Sequence, residues 1–184
     1  MGGGGAGGAG GATAGGTGGT SLGGDGGEAG APHVPNKCEH YATLPSDCKC
    51  VDDATHAYLF CSMTRPFSAA ASQCSFREMH LVKLEGPDED AWILQEAGKM
   101  GMPSLIQYFW IGASTIKTPG VWHWTDLSVF WQGGANGNAY PGAYFNWRTD
   151  SPQNTATESC AYTDQQGWQD GDCTQNRPYV CEAE

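Results

Sequence analysis

The chain has 184 residues and a formal net charge of −11, from nine Lys and Arg against 20 Asp and Glu. That balance argues against nucleic acid and anionic membrane surfaces as partners, since both reward clustered cations. Eight cysteines, all between Cys38 and Cys181, favour disulfides made in an oxidising compartment, so an extracellular or cell-surface protein is expected.

From Gly2 to Gly30 the chain is mostly Gly, with Ala, Thr and Ser between, and offers little apolar surface to set against backbone entropy, so residues 1–37 are set apart from the fold. They read as a Gly-rich disordered linker. Gly2, Gly4 and Gly7 satisfy G-x-G-x-x-G, but no strand precedes and no helix follows, which removes the dinucleotide reading. Met1 is followed by neither a basic n-region nor an apolar h-region, so a truncated or processed amino terminus is expected; with no bilayer-length apolar segment, membrane insertion is not. Residues 38–184 form the folded domain, with 38–50 as a Cys-containing extension. The apolar run Ala57–Phe60 predicts a strand, and Ser68–Cys74 a helix capped by Ser68. Leu81–Leu84 alternates as a strand. A second helix opens at Pro87, with Asp88, Glu89 and Asp90 at its positive dipole end and Ala91, Trp92, Ile93 and Leu94 as its buried face; Lys99 and Gly101 mark its end. Strands follow at Tyr108–Ile111 and Val121–Trp124. The Gly-, Asn- and Pro-rich stretch through Gly142 predicts no regular element, and short strands close the chain at Cys160–Tyr162, Gly167–Trp168 and Tyr179–Cys181. Helices before strands indicate an α+β fold.

Cys74 after a helix, Trp110-Ile111-Gly112, Trp122-x-Trp124, Asn146-Trp147, Cys160, Trp168, Cys173 and Cys181 stand in the order of the C-type lectin-like family, which the chain resembles from Cys50 to Glu182. The resemblance implies two helices flanking small antiparallel sheets, a long irregular loop and a disulfide-stapled long form, in a bacterial-style secreted or surface protein. It implies bridges Cys74–Cys181, Cys160–Cys173 and Cys50–Cys61, with Cys38–Cys48 as the remaining pair; Cys48 and Cys50 exchange roles in the other arrangement open to the sequence. A competing reading gives Cys38, His40, Cys48 and Cys50 to zinc, but the spacing matches no common zinc module and strands Cys61.

Sugar-binding members of that family hold calcium with a Glu-Pro-Asn or Gln-Pro-Asp tripeptide, a downstream Glu, and Asn-Asp after a Trp. The matching positions here are Ser151-Pro152-Gln153, Glu158 and Gln169-Asp170, so the resemblance implies calcium ligands Ser151, Gln153, Glu158, Gln169 and Asp170. Two carboxylates stand where the family usually supplies three, and Gln for Asn moves the carbonyl oxygen by about 1.5 Å. Asp150, turned inward in a shifted register, would restore the third. Pro152 is expected cis by resemblance. The plainer alternative makes Glu158 and Asp170 solvated loop carboxylates. A second calcium position, near Thr115, Pro119 and Asn154, lacks acids and is expected absent. A structural one would use Glu85, Glu89 and Glu182, unless the Lys83 ammonium neutralises those acids. Trp131, Tyr140 and Tyr144 in the long loop read either as rings that stack on sugar or as core; Trp110, Trp122, Trp124, Trp147 and Trp168 read as packing.

No G-x-S-x-G, H-E-x-x-H or G-x-x-x-x-G-K-[ST] is present and the five His are scattered, so no enzyme is expected. The resemblance implies an extracellular carbohydrate-binding module, calcium-assisted through the long-loop site. The alternative is a calcium-independent module that binds an extracellular protein through Trp131, Tyr140 and Tyr144.

Overall fold

The computed structural model describes residues 1–2, 37–41, 43–53, 55–101 and 108–184, without the side chains of Lys37 and Glu158. The chain divides into two units, Met1–His33 and Val34–Glu184. The elements below belong to the second, and most of the expected linker lies outside the described residues.

A 3₁₀ turn, Lys37–Tyr41, precedes the antiparallel pair β1 (Cys48–Asp52) and β2 (Ala57–Arg65). β2 runs past the expected strand because Arg65 finds a partner in Arg177 of β10 (Arg177–Ala183), a pairing only the folded chain supplies. Helix α1 (Phe67–Ser75) begins one residue before the expected Ser68 cap. Its N-cap is Pro66, with no side-chain bond, and the Phe67 amide instead donates to Cys173 O at 3.0 Å. A tertiary acceptor thus does the work of a capping side chain. β3 is only His80–Leu81; beyond it the Val82 backbone bridges Val180 O and the Gly112 amide without forming a ladder. Helix α2 (Pro87–Lys99) has the expected bounds, with Pro at its first turn.

β4 (Phe109–Ser114), β5 (Val121–His123), β6 (Val129–Gln132), β7 (Asn138–Ala139), β8 (Glu158–Asp164) and β9 (Gly167–Asp172) complete the set. The strands join in one path, β1-β2-β10-β4-β5-β6-β7, with β8 also on β4 and β9 on β8. Tyr179 and Trp110 make the β10–β4 pairing parallel, so the small antiparallel sheets expected are one connected mixed sheet in an α+β fold. The stretch expected to hold no regular element contains the β6–β7 hairpin, in which Trp131 faces Ala139. Its turn closes on the Trp131 ring so tightly that a Cβ at Gly137 would lie 2.7 Å from Trp131 Nε1, a contact glycine alone avoids.

Two buried clusters result. One, under the long loop, packs Trp122, Trp124, Phe130, Trp131 and Trp168; the other surrounds Trp110, Phe67 and the disulfides. Cys74 joins Cys181 and Cys160 joins Cys173, the two bridges the resemblance implies. The amino-terminal bridges are corrected: Cys48 joins Cys61 and Cys38 joins Cys50, in place of Cys50–Cys61 and Cys38–Cys48. Strand register decides this. Cys48 lies directly opposite Cys61 with Cα atoms 4.1 Å apart, close to the narrow cross-strand spacing, whereas Cys50 falls opposite Leu59. All eight cysteines are paired, which leaves no thiolate for the zinc reading. No helix among the described residues is long and apolar enough to cross a membrane.

Candidate functional site

The loop between β7 and β8 carries Ser151 and Gln153, and β9 carries Gln169 and Asp170. The Ser151–Pro152 peptide is cis, and Asp150 and Asn154 flank it with φ of 66° and 55°. Asp170 is buried and faces this loop. Its Oδ1 accepts the Gln153 amide at 2.8 Å and its Oδ2 the Asn154 amide at 2.7 Å. Two charge-assisted bonds to successive amides satisfy loop donors that would otherwise face a buried carboxylate unpaired, and they hold residues 153 and 154 in place. The Gln153 side chain is left exposed.

Gln169 does not join this group. Side chains alternate along a strand, so next to an inward Asp170 it turns to the other face, where Nε2 donates to Asp164 Oδ2 at 3.0 Å. Arg148 Nη1 reaches the same oxygen at 3.2 Å, and the Ser151 amide donates to Arg148 O. The backbone of Glu158 pairs with Asp172; its side chain lies outside the described residues. Calcium takes six to eight oxygens and gains affinity from carboxylate count. Among the described residues the loop supplies one converging carboxylate, both of whose oxygens already hold amides, beside a neutral Ser151. No group of three His, Cys, Asp or Glu there is arranged for a metal. The donors among the described residues do not by themselves make a calcium cage. The position lacking acids is a neutral recess of about 410 Å³ lined by Thr115, Ile116, Pro119, Asn154 and Ser159 among others.

The acids of the implied structural site have protein partners. Glu89 accepts the Tyr58 hydroxyl at 2.8 Å and the Glu85 amide at 2.7 Å, and Glu182 accepts the Lys83 amide at 2.8 Å. Lys83 Nζ sits 2.9 Å from Glu85 and 2.8 Å from Asp126. Burial pushes Glu182 up to about 7, the Lys83 amide pulls it down, and the nearby Glu89 and Glu85 raise it again. The Lys83 ammonium thus meets only Glu85 of the three acids, while Glu89 and Glu182 are met by a hydroxyl and backbone amides.

Of the three marked aromatics, Trp131 is buried and donates to Gly134 O at 3.1 Å. Tyr144 packs edge-on against Trp168 with its hydroxyl on Asp90. Trp131 is therefore no free ring for ligand, Tyr144 is half-buried with its hydroxyl engaged, and Tyr140 is exposed. Asp90 is the residue the sequence reading missed. Placed by sequence with Asp88 and Glu89 at the positive end of the helix dipole, it is only 2% exposed. Its Oδ2 accepts Tyr144 Oη at 3.0 Å, Asn146 Nδ2 at 2.9 Å and Trp168 Nε1 at 3.1 Å, tying α2 to the long loop and to β9. Burial raises its pKa and those three bonds oppose the rise. Its spacing carried the signal: Asp90, Ile93 and Ala97 stand at i, i+3 and i+7, one helical stripe, and all are buried.

Comparison with known proteins finds a match to the Lectin C-type domain over residues 63–183. Mouse CD209 antigen-like protein C is 25% identical over 127 residues, covering 68% of this chain and 62% of that protein. Human C-type mannose receptor 2 is 36% identical over 75 residues, covering 39% of this chain and 4% of that protein. The chain therefore spans less than two thirds of these relatives' length. Both are animal proteins, which gives no support to a bacterial-style setting. The solved carbohydrate-recognition domain of the mouse scavenger receptor C-type lectin superposes with a TM-score of 0.59 at 25% identity, over 77% of this chain and 96% of that one.

Proposed function

Because the chain belongs to the C-type lectin domain family, we propose that it is an extracellular carbohydrate-binding module whose ligand surface is the Pro152–Asn154 loop with the neighbouring long loop, working without a resident calcium ion. The observation that carries this reading is the clasp of Asp170 on the Gln153 and Asn154 amides, which shapes the loop by protein groups alone. Family membership supports a binding module in place of an enzyme, and four disulfides support exposure to an oxidising compartment. Residues 38–184 are the recognition head in this proposal, and residues 1–37, by composition, the linker that presents it. Docking of a protein through Trp131, Tyr140 and Tyr144 is the second reading, and it would use Tyr140 and the half-buried Tyr144, since the Trp131 ring is buried.

The test is calorimetric titration of calcium into the oxidised, chelator-stripped protein and into a variant carrying Glu158→Ala with Asp170→Ala, alongside retention on immobilised glycans with and without chelator. The expected result is glycan retention that chelator leaves unchanged and no saturable calcium heat assignable to the loop. Calcium binding abolished in the double variant would overturn the metal-free reading and restore calcium assistance through Glu158 and Asp170; heat that persists there would point to Glu85, Glu89 and Glu182.

A further inference from the structure

Tyr144, Phe145 and Asn146 alternate about the chain. Tyr144 and Asn146 both turn inward onto Asp90 Oδ2, at 3.0 and 2.9 Å, and this fixes Phe145 outward, 43% exposed. A lone exposed apolar side chain is ordinary on a protein surface. What distinguishes Phe145 is its support. With its backbone pinned on both sides it cannot withdraw, and its ring rests on the buried Trp131 indole, centroid to centroid 4.8 Å at 49°. Trp131 Nε1 donates to Gly134 O, and Gly134 abuts the functional loop: a Cβ there would lie 3.2 Å from Pro152 O and 3.6 Å from Gln153 O. An exposed aromatic ring is thus held on a rigid base that also contacts the loop bearing the exposed Gln153 amide.

We propose that Phe145 is the ring on which a pyranose residue of a glycan stacks, with Asp90 as the positioning residue that presents it. A pyranose offers a patch of C–H bonds on one face and hydroxyls at its rim. The ring covers the apolar face, and the Gln153 amide, with both donors and an acceptor, meets hydroxyls. Neither contact needs a metal. The inference rests on the carbohydrate-binding reading and names the contact that reading lacks.

The experiment is affinity electrophoresis of the oxidised protein through gels containing mannan, a galactan or glycol chitin, each run with calcium and with chelator. Wild type is expected to be retarded by at least one polymer equally in both buffers. Phe145→Ala should weaken that retardation about tenfold or more, a loss of about 1.4 kcal/mol in binding. Phe145→Trp should restore it, which a merely structural side chain would not predict. Phe76→Ala, which removes an exposed aromatic ring at the end of α1, serves as control and should leave retardation unchanged. Asp90→Ala should weaken retardation too, and near-UV circular dichroism separates a displaced loop from a lost fold; the surface variants at Phe145 decide the matter if Asp90→Ala does not fold. Retardation of Phe145→Ala equal to wild type overturns this proposal and leaves the carbohydrate-binding reading standing; retardation that vanishes with chelator overturns both this proposal and the metal-free part of that reading. Failure of all three polymers to retard wild type counts against both.

Discussion

Glu182 is 3% exposed, with His56 Nε2 and His80 Nδ1 each 3.8 Å from its oxygens. Its folded-state pKa of about 7 lies above the ordinary 4.5, so between those values the native protein holds a proton that the unfolded chain gives up. Stability from this group is therefore complete below about pH 4.5 and is lost as pH rises through about 7, by on the order of 3 kcal/mol. Glu182→Gln keeps an acceptor for the Lys83 amide but has no charge to desolvate. Urea unfolding of the two proteins from pH 4 to 8 should show the variant gaining on wild type across that window and level beyond it; parallel pH profiles would count against the burial argument. Asp170 shows the other treatment of a buried acid, with two backbone donors in compensation.

At the scale of elements, α2 and the long loop are coupled through one oxygen. Asp90→Ala leaves the Tyr144 hydroxyl, the Asn146 amide and the Trp168 indole without their acceptor, and a loss of roughly 2–4 kcal/mol is expected in chemical denaturation. Asp90→Asn retains one acceptor oxygen and should cost less. Amide hydrogen exchange across residues 132–147 should quicken in the Ala variant while β2 and β10 stay protected; uniform loss of protection would show that Asp90 serves the whole core, not the loop. The β6–β7 hairpin gives a second case. Gly137→Ala drives a methyl group into Trp131 Nε1 and the Gln132 carbonyl, so a destabilisation of about 1–3 kcal/mol is expected, with a change in tryptophan emission as Trp131 shifts.

For the whole molecule, the bridges are not equivalent. Cys74–Cys181 encloses 107 residues of sequence separation and Cys38–Cys50 only 12. On the loop-entropy estimate, replacing the first pair by Ser costs about 4.8 kcal/mol and the second about 2.8; denaturant midpoints of the two double variants should fall in that order. The amino-acid sequence by itself determined the α+β class, the bounds of α2, the landmark tryptophans as packing and the cis Ser151–Pro152 turn, because these rest on local periodicity and on motifs whose spacing survives in the chain. The exchange of Cys48 and Cys50 was beyond it, since a cross-strand register places a cysteine opposite a partner that linear spacing does not reveal. So was the direction of each polar side chain at the site. Gln169 and Asp170 are neighbours in sequence but lie on opposite faces of β9, and Asp90, one of three acids in the first turn of α2, is buried where three donors converge. Only the tertiary structure decided which carboxylates meet amides and which ring stays outside, because those outcomes depend on which groups are desolvated together.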